Sequence, residues 1–290
     1  MIYQQLLNGL VAGIGYALAA LGFSMIFGVL RVVNFAHGNV YMIGAFAGLT
    51  AAKYCGNNFY VSIAAGMICG ALLGLVLERL VFRPVRHMPP FAGLLTSCGA
   101  LFALGIIAMF VWGTAPRAYD VNLPDVTWEV GGLTIYYMQV FMMIVAVVVM
   151  VALWWIVTKT HIGIAMRAAA YNTTIAQLMG IDVNAVTQFT LAISSALAGL
   201  AGVLVSAYYG MIAFHVGFNA VVKAFTAAVI GGVGSIFGSL VGGILLGLVE
   251  GIASGYISSG YRDAIAFFIL ILVLMIRPLG LFGKSAAQGM

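Results

Sequence analysis

Charge is what this chain has least of: 7% of its 290 residues are Asp, Glu, Lys or Arg, against about 25% in ordinary soluble domains. So few charged groups cannot make the polar shell that a soluble core of this size needs. Cysteine is almost as scarce, and Cys55, Cys69 and Cys98 stand at unrelated spacings with no CxxC pair and no His close along the chain. A disulfide framework and a zinc site are both excluded by that spacing, and no metal ligands are expected. No HExxH pair and no GxSxG elbow occur, so neither metallohydrolase nor serine-hydrolase chemistry has its motif, and the chain is expected not to be an enzyme. Gly280-Leu-Phe-Gly283-Lys284-Ser285 matches the end of a phosphate-binding loop, but Pro278 stands where the first glycine is required. ATP hydrolysis therefore belongs to another chain, and no cofactor is expected on this one.

The net charge of +5 comes from basic residues scattered between apolar runs, with no stripe that could track phosphates, so nucleic acid is not a partner. Nothing basic precedes Arg31, so the opening stretch lacks a charged leader and reads as a retained first span. Asn172-Thr173-Thr174 fits a glycosylation sequon but falls in a segment placed on the cytoplasmic side, where the match is chance.

What the chain does have is hydrophobic residues, 64% of the total. A spanning helix takes about 20 apolar residues, and runs bounded by charge or turn residues fall near 5–29, 39–53, 60–78, 92–112, 136–157, 186–209, 220–231, 236–256 and 262–276. Helix is expected throughout, because each backbone amide in lipid must be satisfied within its own segment and no alternating strand pattern appears. The expected fold is all-α: a polytopic transmembrane bundle of eight or nine segments in one domain over 1–290. The second and seventh runs are short for a full crossing, as broken helices would be.

With the carboxyl terminus cytoplasmic and nine segments alternating, the inner loops hold Arg31, Arg79, Arg83, Arg86, Lys159, Arg167, Arg277 and Lys284. The outer loops hold Lys53, Arg117 and Arg262, with Asp120, Asp125, Glu129 and Asp263. Eight basic residues against three satisfies the positive-inside rule and on this count puts the amino terminus outside, whereas a re-entrant seventh segment would change the parity.

Glycines recur every four residues at Gly66, Gly70 and Gly74, at Gly234, Gly238 and Gly242, and at Gly243, Gly247, Gly251 and Gly255. That spacing opens a groove along a helix face and lets a neighbouring backbone approach. Two ionisable residues lie inside apolar runs. Lys223, near the outer start of its run, has the reach to snorkel, whereas Glu250 lies deeper and needs a partner or a polar cavity. The segment from Arg31 to Gly38 separates two runs with Asn34, His37 and Gly38 inside it. It is either a short cytoplasmic turn or a helix break whose ends line a solute pathway.

Between about 158 and 185 lies the one long inner loop, with its own helical character. Ile164, Ala168, Tyr171, Ile175 and Met179 make one apolar face about four turns long, closed by Gly180 at its carboxyl end. An apolar face in the cytoplasm calls for a partner groove, and a single Arg167 gives it little to offer lipid head groups.

Val33-Asn34-Phe35-Ala36-His37-Gly38 with Tyr41-Met-Ile-Gly44, the turn from Glu78 to Arg86, the loop from Gly163 to Asp182, and Lys223 to Ser235 together resemble the branched-chain amino acid permease family of bacterial ABC importers, in its shorter permease subunit. Asn39 departs from the pattern, since many relatives carry Glu there. The resemblance implies a non-catalytic permease in the bacterial inner membrane, beside a homologous second permease, two cytoplasmic ATPases that bind ATP and Mg, and a periplasmic binding protein. It further implies a coupling helix over Gly163–Gly180, carrying Gly163, Ala165, Arg167, Ala168, Asn172, Ala176 and Gly180, with Ala168 and Ala176 facing the ATPase cleft. Asn34, His37, Gly38 and Glu250 are the candidate pathway residues. Permeases for urea, short amides and aromatic acids look much the same, so the substrate stays open among these. A stand-alone channel or carrier would leave the cytoplasmic helix without a purpose.

Overall fold

The computed structural model describes residues 2–124, 126–130, 132–256 and 259–283. Asp125, Lys284 and Ser285, named above, lie outside the described residues. The chain is a helical bundle: α1 (Ile2–Leu30), α2 (His37–Tyr54), α3 (Phe59–Leu77), a π-helical turn (Glu78–Phe82) running into α4 (Arg83–Val85), α5 (Pro90–Trp112), α6 (Tyr137–Lys159), α7 (His161–Tyr171), α8 (Thr173–Leu178), α9 (Val183–Tyr209), α10 (Val216–Gly231), α11 (Ile236–Tyr256) and α12 (Arg262–Ile276). Six stretches, Ile2–Leu30, Phe59–Val85, Phe91–Trp112, Tyr137–Lys159, Val183–Tyr209 and Ile236–Tyr256, are long and apolar enough to cross a membrane. Every apolar run read from the sequence is a helix, and the ends agree within a few residues.

Strand is confined to one end. There β2 (Thr127–Val130) and β3 (Leu133–Tyr136) form an antiparallel hairpin, and β1 (Arg117–Ala118) pairs with β4 (Met211–Ile212). Gln4 at the start of α1 exchanges bonds with Thr134 of this hairpin, 3.2 Å each way, which fixes α1 as starting at the hairpin end. The opposite end carries α7, α8 and the basic residues Arg31, Arg79, Arg83, Arg86, Lys159 and Arg277.

Helices α1 and α9 form the buried centre and run antiparallel. Along α1, Gly9 and Gly13 meet Gly243, Gly247 and Gly251 of α11, while along α9, Ser195 and Gly199 meet Gly66, Gly70 and Gly74 of α3. Backbone touches backbone in both pairs, so the glycine rows act as packing surfaces, gaining dispersion contacts that lipid would not drive. A Cβ at Gly199 would overlap the Gly66 carbonyl. Gly234 is the exception in its row: it lies in the α10–α11 turn with φ +87, outside any helix.

The same plan occurs twice, upside down. A long central helix ends on a left-handed residue, Arg31 (φ 54) after α1 and Gly210 (φ 68) after α9. A break follows, 31–36 or 210–215, then a shorter helix, a tight turn and a third helix that packs on the central helix of the other triplet. The triplets α1–α2–α3 and α9–α10–α11 are thus inverted copies in architecture, a device shared by many membrane transporters.

Candidate functional site

The break after α1 does not stay at the end of the bundle. Val32 packs on Gly93 of α5, Ser97 Oγ donates to the Val33 carbonyl at 3.1 Å, and His37 Nε2 lies 3.2 Å from the Ala19 carbonyl. Ala19 is eleven residues above the last residue of α1, about 16 Å at 1.5 Å per residue. The chain therefore climbs back inside the protein, and α2 begins at mid-depth. On the other side of the inverted pair, α10 begins at the same level: a Cβ at Gly38 would strike the Gly217 carbonyl, and one at Gly217 would strike Asn39. Two helix amino termini cross there, each carrying about half a positive charge, and no side chain caps either of them. Of the two readings of Asn34–Gly38, the broken helix is the one present.

Asn34 and His37 are 1% exposed, and both Asn34 side-chain polar atoms and His37 Nδ1 have no bonding partner. The Oγ atoms of Ser194 and Ser195 and Oγ1 of Thr226 share that condition. Asn39 donates to the Leu101 carbonyl, which ties α2 to α5 at the crossing.

Above the crossing, toward the hairpin, lies a charged cluster. Lys223 of α10 pairs with Glu250 of α11 and, at 2.9 Å, with Asp263 of α12, while the Tyr16 hydroxyl donates to Glu250 at 2.8 Å. Four helices meet in this network. Lys223 does not snorkel; it is 7% exposed, because its carboxylate partners take the place of water. Asp263, expected in an outer loop, sits beside it because α12 starts below the hairpin end.

Tyr16, Lys223 and Asp263 of this network border a cavity of about 380 Å³ between α1, α9, α10 and α12. Val11, Ala12, Met142, Val205, Val216 and Ala220 make an apolar wall, and Tyr41, Ser206, Asn219, Lys223 and Asp263 a polar one. Toward the hairpin end a further hollow, lined by Gln5, Asn8, Tyr208, Tyr209, Glu250 and Ser254, shares Tyr208 and Tyr209 with it and leads to the mouth beneath the hairpin at Gln4, Gln139 and Thr134. Tyr119, in the loop before the hairpin, closes the neighbouring α2–α3 gap by donating to the Ala45 carbonyl at 3.2 Å and bonding Ser62; burial pushes its phenol up from the ordinary range. Of the candidate pathway residues, Glu250 lines the hollow toward the hairpin, while His37 meets the Ala19 carbonyl and Gly38 meets Gly217 at the crossing, with Asn34 before them in the break. Sequence reasoning missed Tyr41, Ser206, Asn219 and Asp263. Asn219 stands at the edge of an apolar run, the one signal available for it.

At the other end, the loop helix is two helices. Asn172 leaves the helical region and caps α8 by accepting from the Ile175 amide at 3.0 Å, so the expected four-turn face is interrupted there. Gly180 (φ +83) terminates α8 as anticipated. Ile164, Tyr171, Ile175, Leu178 and Met179 are exposed, the last two at 82% and 78%. Ala168 and Ala165 are half-buried, Gly163 packs against the end of α6, and Asn172 is exposed. Ala176 is buried in its own chain, contrary to its expected place on the docking side; the break at Asn172 resets the helical phase and turns it inward. Arg167 is exposed but donates to the Val157 carbonyl, closing the end of α6. Beneath, Glu78 is fully buried in the π-helical turn and held at 2.8 Å by Arg86, which also bonds Asn184 at the start of α9.

No group of three or more His, Cys, Asp or Glu side chains suited to a metal occurs among the described residues. Among solved structures, the chain resembles PsaBC from Streptococcus pneumoniae, solved in complex with a Fab, with a TM-score of 0.52 and 16% identity over 93% of this chain and 91% of that one. This likeness is one of fold. Among curated proteins, it is 38% identical to the high-affinity branched-chain amino acid transport system permease protein LivH of Salmonella typhimurium, over 98% of this chain and 96% of that protein. It is likewise 38% identical to the corresponding permease BraD of Pseudomonas aeruginosa, over 98% and 97%, and 30% identical to a probable LivH of Methanocaldococcus jannaschii, over 92% and 88%. The family model described as branched-chain amino acid transport system / permease component matches residues 5–274, and the chain belongs to that family.

Proposed function

We propose that this chain is the shorter permease of an ATP-driven importer and forms part of the path by which leucine, isoleucine and valine cross the bacterial inner membrane. The family match over residues 5–274 carries this reading. The chemistry of the interior agrees with it. Branched-chain amino acids are net-neutral zwitterions with aliphatic side chains, and the track through the bundle joins apolar walls to a few fixed charges. In this reading the end bearing α7, α8 and the basic residues is cytoplasmic, as the positive-inside rule requires, and the hairpin end receives solute from a periplasmic binding protein.

The partners follow from what the chain lacks. It has no nucleotide-binding loop, so ATP and Mg belong to two ATPase subunits, and the exposed apolar side chains of Ile175, Leu178 and Met179 are where these grip. Closing the ATPases shifts the transport equilibrium only through contacts that differ between the two states. The α7–α8 pair would carry that motion to α6 through Arg167 and Gly163, and to α9 through Asp182, which caps α9. A second, homologous permease completes the pathway.

Purification in mild detergent tests the assembly. A tagged chain expressed with its neighbouring genes brings down two ATPases and a second permease; a chain that purifies alone and still moves leucine is a carrier, and the proposal fails.

A further inference from the structure

The cavity between α1, α9, α10 and α12 has a charge imbalance and a set of unpartnered buried groups that the bundle does not need for folding. Lys223 carries one positive charge, and Glu250 and Asp263 carry one negative charge each, so among the described side chains the cluster holds one more negative charge than positive. The surplus rests on Asp263, whose side chain is 67% exposed. Asp263 stands in the first turn of α12 and borders the cavity, and ionisable groups of membrane helices that face a cavity mark solute pathways. At the same cavity, Ser206 and Tyr41 are 3% and 4% exposed, and neither hydroxyl has a hydrogen-bond partner among the described residues. The cavity also reaches the first turn of α10, a sixteen-residue helix with no side-chain cap.

We infer that this cavity is a transit site for one free aliphatic α-amino acid, with its ammonium at Asp263 and its carboxylate toward Ser206, Tyr41 and the start of α10. The inference rests on the proposed function and adds the residues that hold the solute inside the membrane. Each element answers one part of the ligand. An ammonium pairs with the Asp263 carboxylate, which Lys223 leaves largely exposed. A carboxylate takes hydroxyl donors and the positive end of a helix, the arrangement by which broken membrane helices hold anionic groups. The aliphatic side chain covers Val11, Met142, Val205 and Val216. The volume, about 380 Å³, lies at the small end of the roughly 300–1,000 Å³ of small-molecule sites, which suits an amino acid and excludes a peptide. A sugar would leave the charges unanswered, and a simple amine would leave the hydroxyls and helix terminus so.

The test uses the assembled complex in proteoliposomes, with Cys55, Cys69 and Cys98 replaced by alanine and Ala220→Cys placed in the cavity wall. Leucine uptake with the binding protein is measured first. Labelling of the introduced cysteine by a small maleimide is then followed without binding protein. Leucine slows labelling at least threefold, while 4-methylpentanoate, which lacks the ammonium, and 3-methylbutylamine, which lacks the carboxylate, do not. In Asp263→Asn the half-protecting leucine concentration rises at least tenfold, and Asp263→Glu restores it, with the complex recovered intact by gel filtration in each case. Labelling unaffected by leucine in vesicles that import leucine overturns the transit site and leaves the importer standing. Protection equal in wild type and Asp263→Asn also overturns it. Vesicles holding the unsubstituted complex that import no aliphatic amino acid overturn the importer reading itself.

Discussion

Replacing Glu250 by leucine should destabilise this protein more than removing Glu250 and Lys223 together. Removing one partner of a buried ion pair costs about 3–5 kcal/mol, because the other charge is left in low dielectric. In Glu250→Leu, Lys223 keeps Asp263 at 2.9 Å, but that carboxylate is largely exposed, so it compensates only in part. The loss therefore falls near the lower bound, about 3 kcal/mol, and the Tyr16 hydroxyl loses an acceptor worth about 1 kcal/mol more. Lys223→Met with Glu250→Leu removes both buried charges, and apolar replacements of similar volume are often close to neutral. Asp263 then loses its partner, but exposed as it is, that loss is worth at most about 1 kcal/mol. Glu250→Gln retains an acceptor for Tyr16 and falls between. Thermal unfolding of the purified complex in detergent, followed by size-exclusion recovery after heating, should rank Glu250→Leu lowest, with the double variant above it. A double variant less stable than Glu250→Leu alone, or a Glu250→Leu variant as stable as wild type, would refute the reasoning.

Helix contact makes a second prediction: Gly199→Ala must push α9 away from the Gly66 carbonyl, costing about 2 kcal/mol or more and lowering the monodisperse yield, whereas Gly99→Ala, with open space around it, should leave the yield unchanged. At the opposite end, Leu178→Asp with Met179→Asp should abolish ATPase copurification from a correctly folded permease, whereas Ala176→Trp should reduce the permease's own melting temperature. Arg86→Gln leaves the buried Glu78 without its cation and should cost about 3 kcal/mol, and adding Glu78→Gln should recover most of it; equal melting of the two variants would contradict the pairing. Asn34→Leu and His37→Leu should reduce leucine uptake without loss of subunit assembly, and uptake at the wild-type rate would make the break purely architectural.

The helices themselves were legible because lipid imposes one rule on every segment: backbone groups must pair locally, so an apolar run of sufficient length is a helix wherever it occurs. The shortness of the second and seventh runs carried more meaning than it showed. Both are helices that begin inside the bundle, but depth is set by what Val32, Ser97 and Ala19 offer the returning chain, and no local pattern reports it. Inverted copies were invisible for a related reason, since they share spacing and contacts without shared residues. Glu250 announced its need of a partner through hydropathy alone. Its partner Lys223 was misplaced because a position near the end of a run implies water, and Asp263 because it follows Arg262 in what reads as a loop. The division of the inner helix, expected as one, had a signal that went unread: Asn172, a good cap residue followed by two threonines. Ala176, expected to face the ATPase cleft, is turned inward by that break.

The central question is whether this chain, with a partner permease and two ATPases, moves branched-chain amino acids at the expense of ATP. Radiolabelled leucine uptake into proteoliposomes holding the full complex, with ATP supplied on the side of the α7–α8 loop and loaded binding protein on the hairpin side, should require both and be competed by valine and isoleucine. Uptake that persists without the ATPases, follows an imposed ion gradient, or is indifferent to all three amino acids would contradict the importer reading.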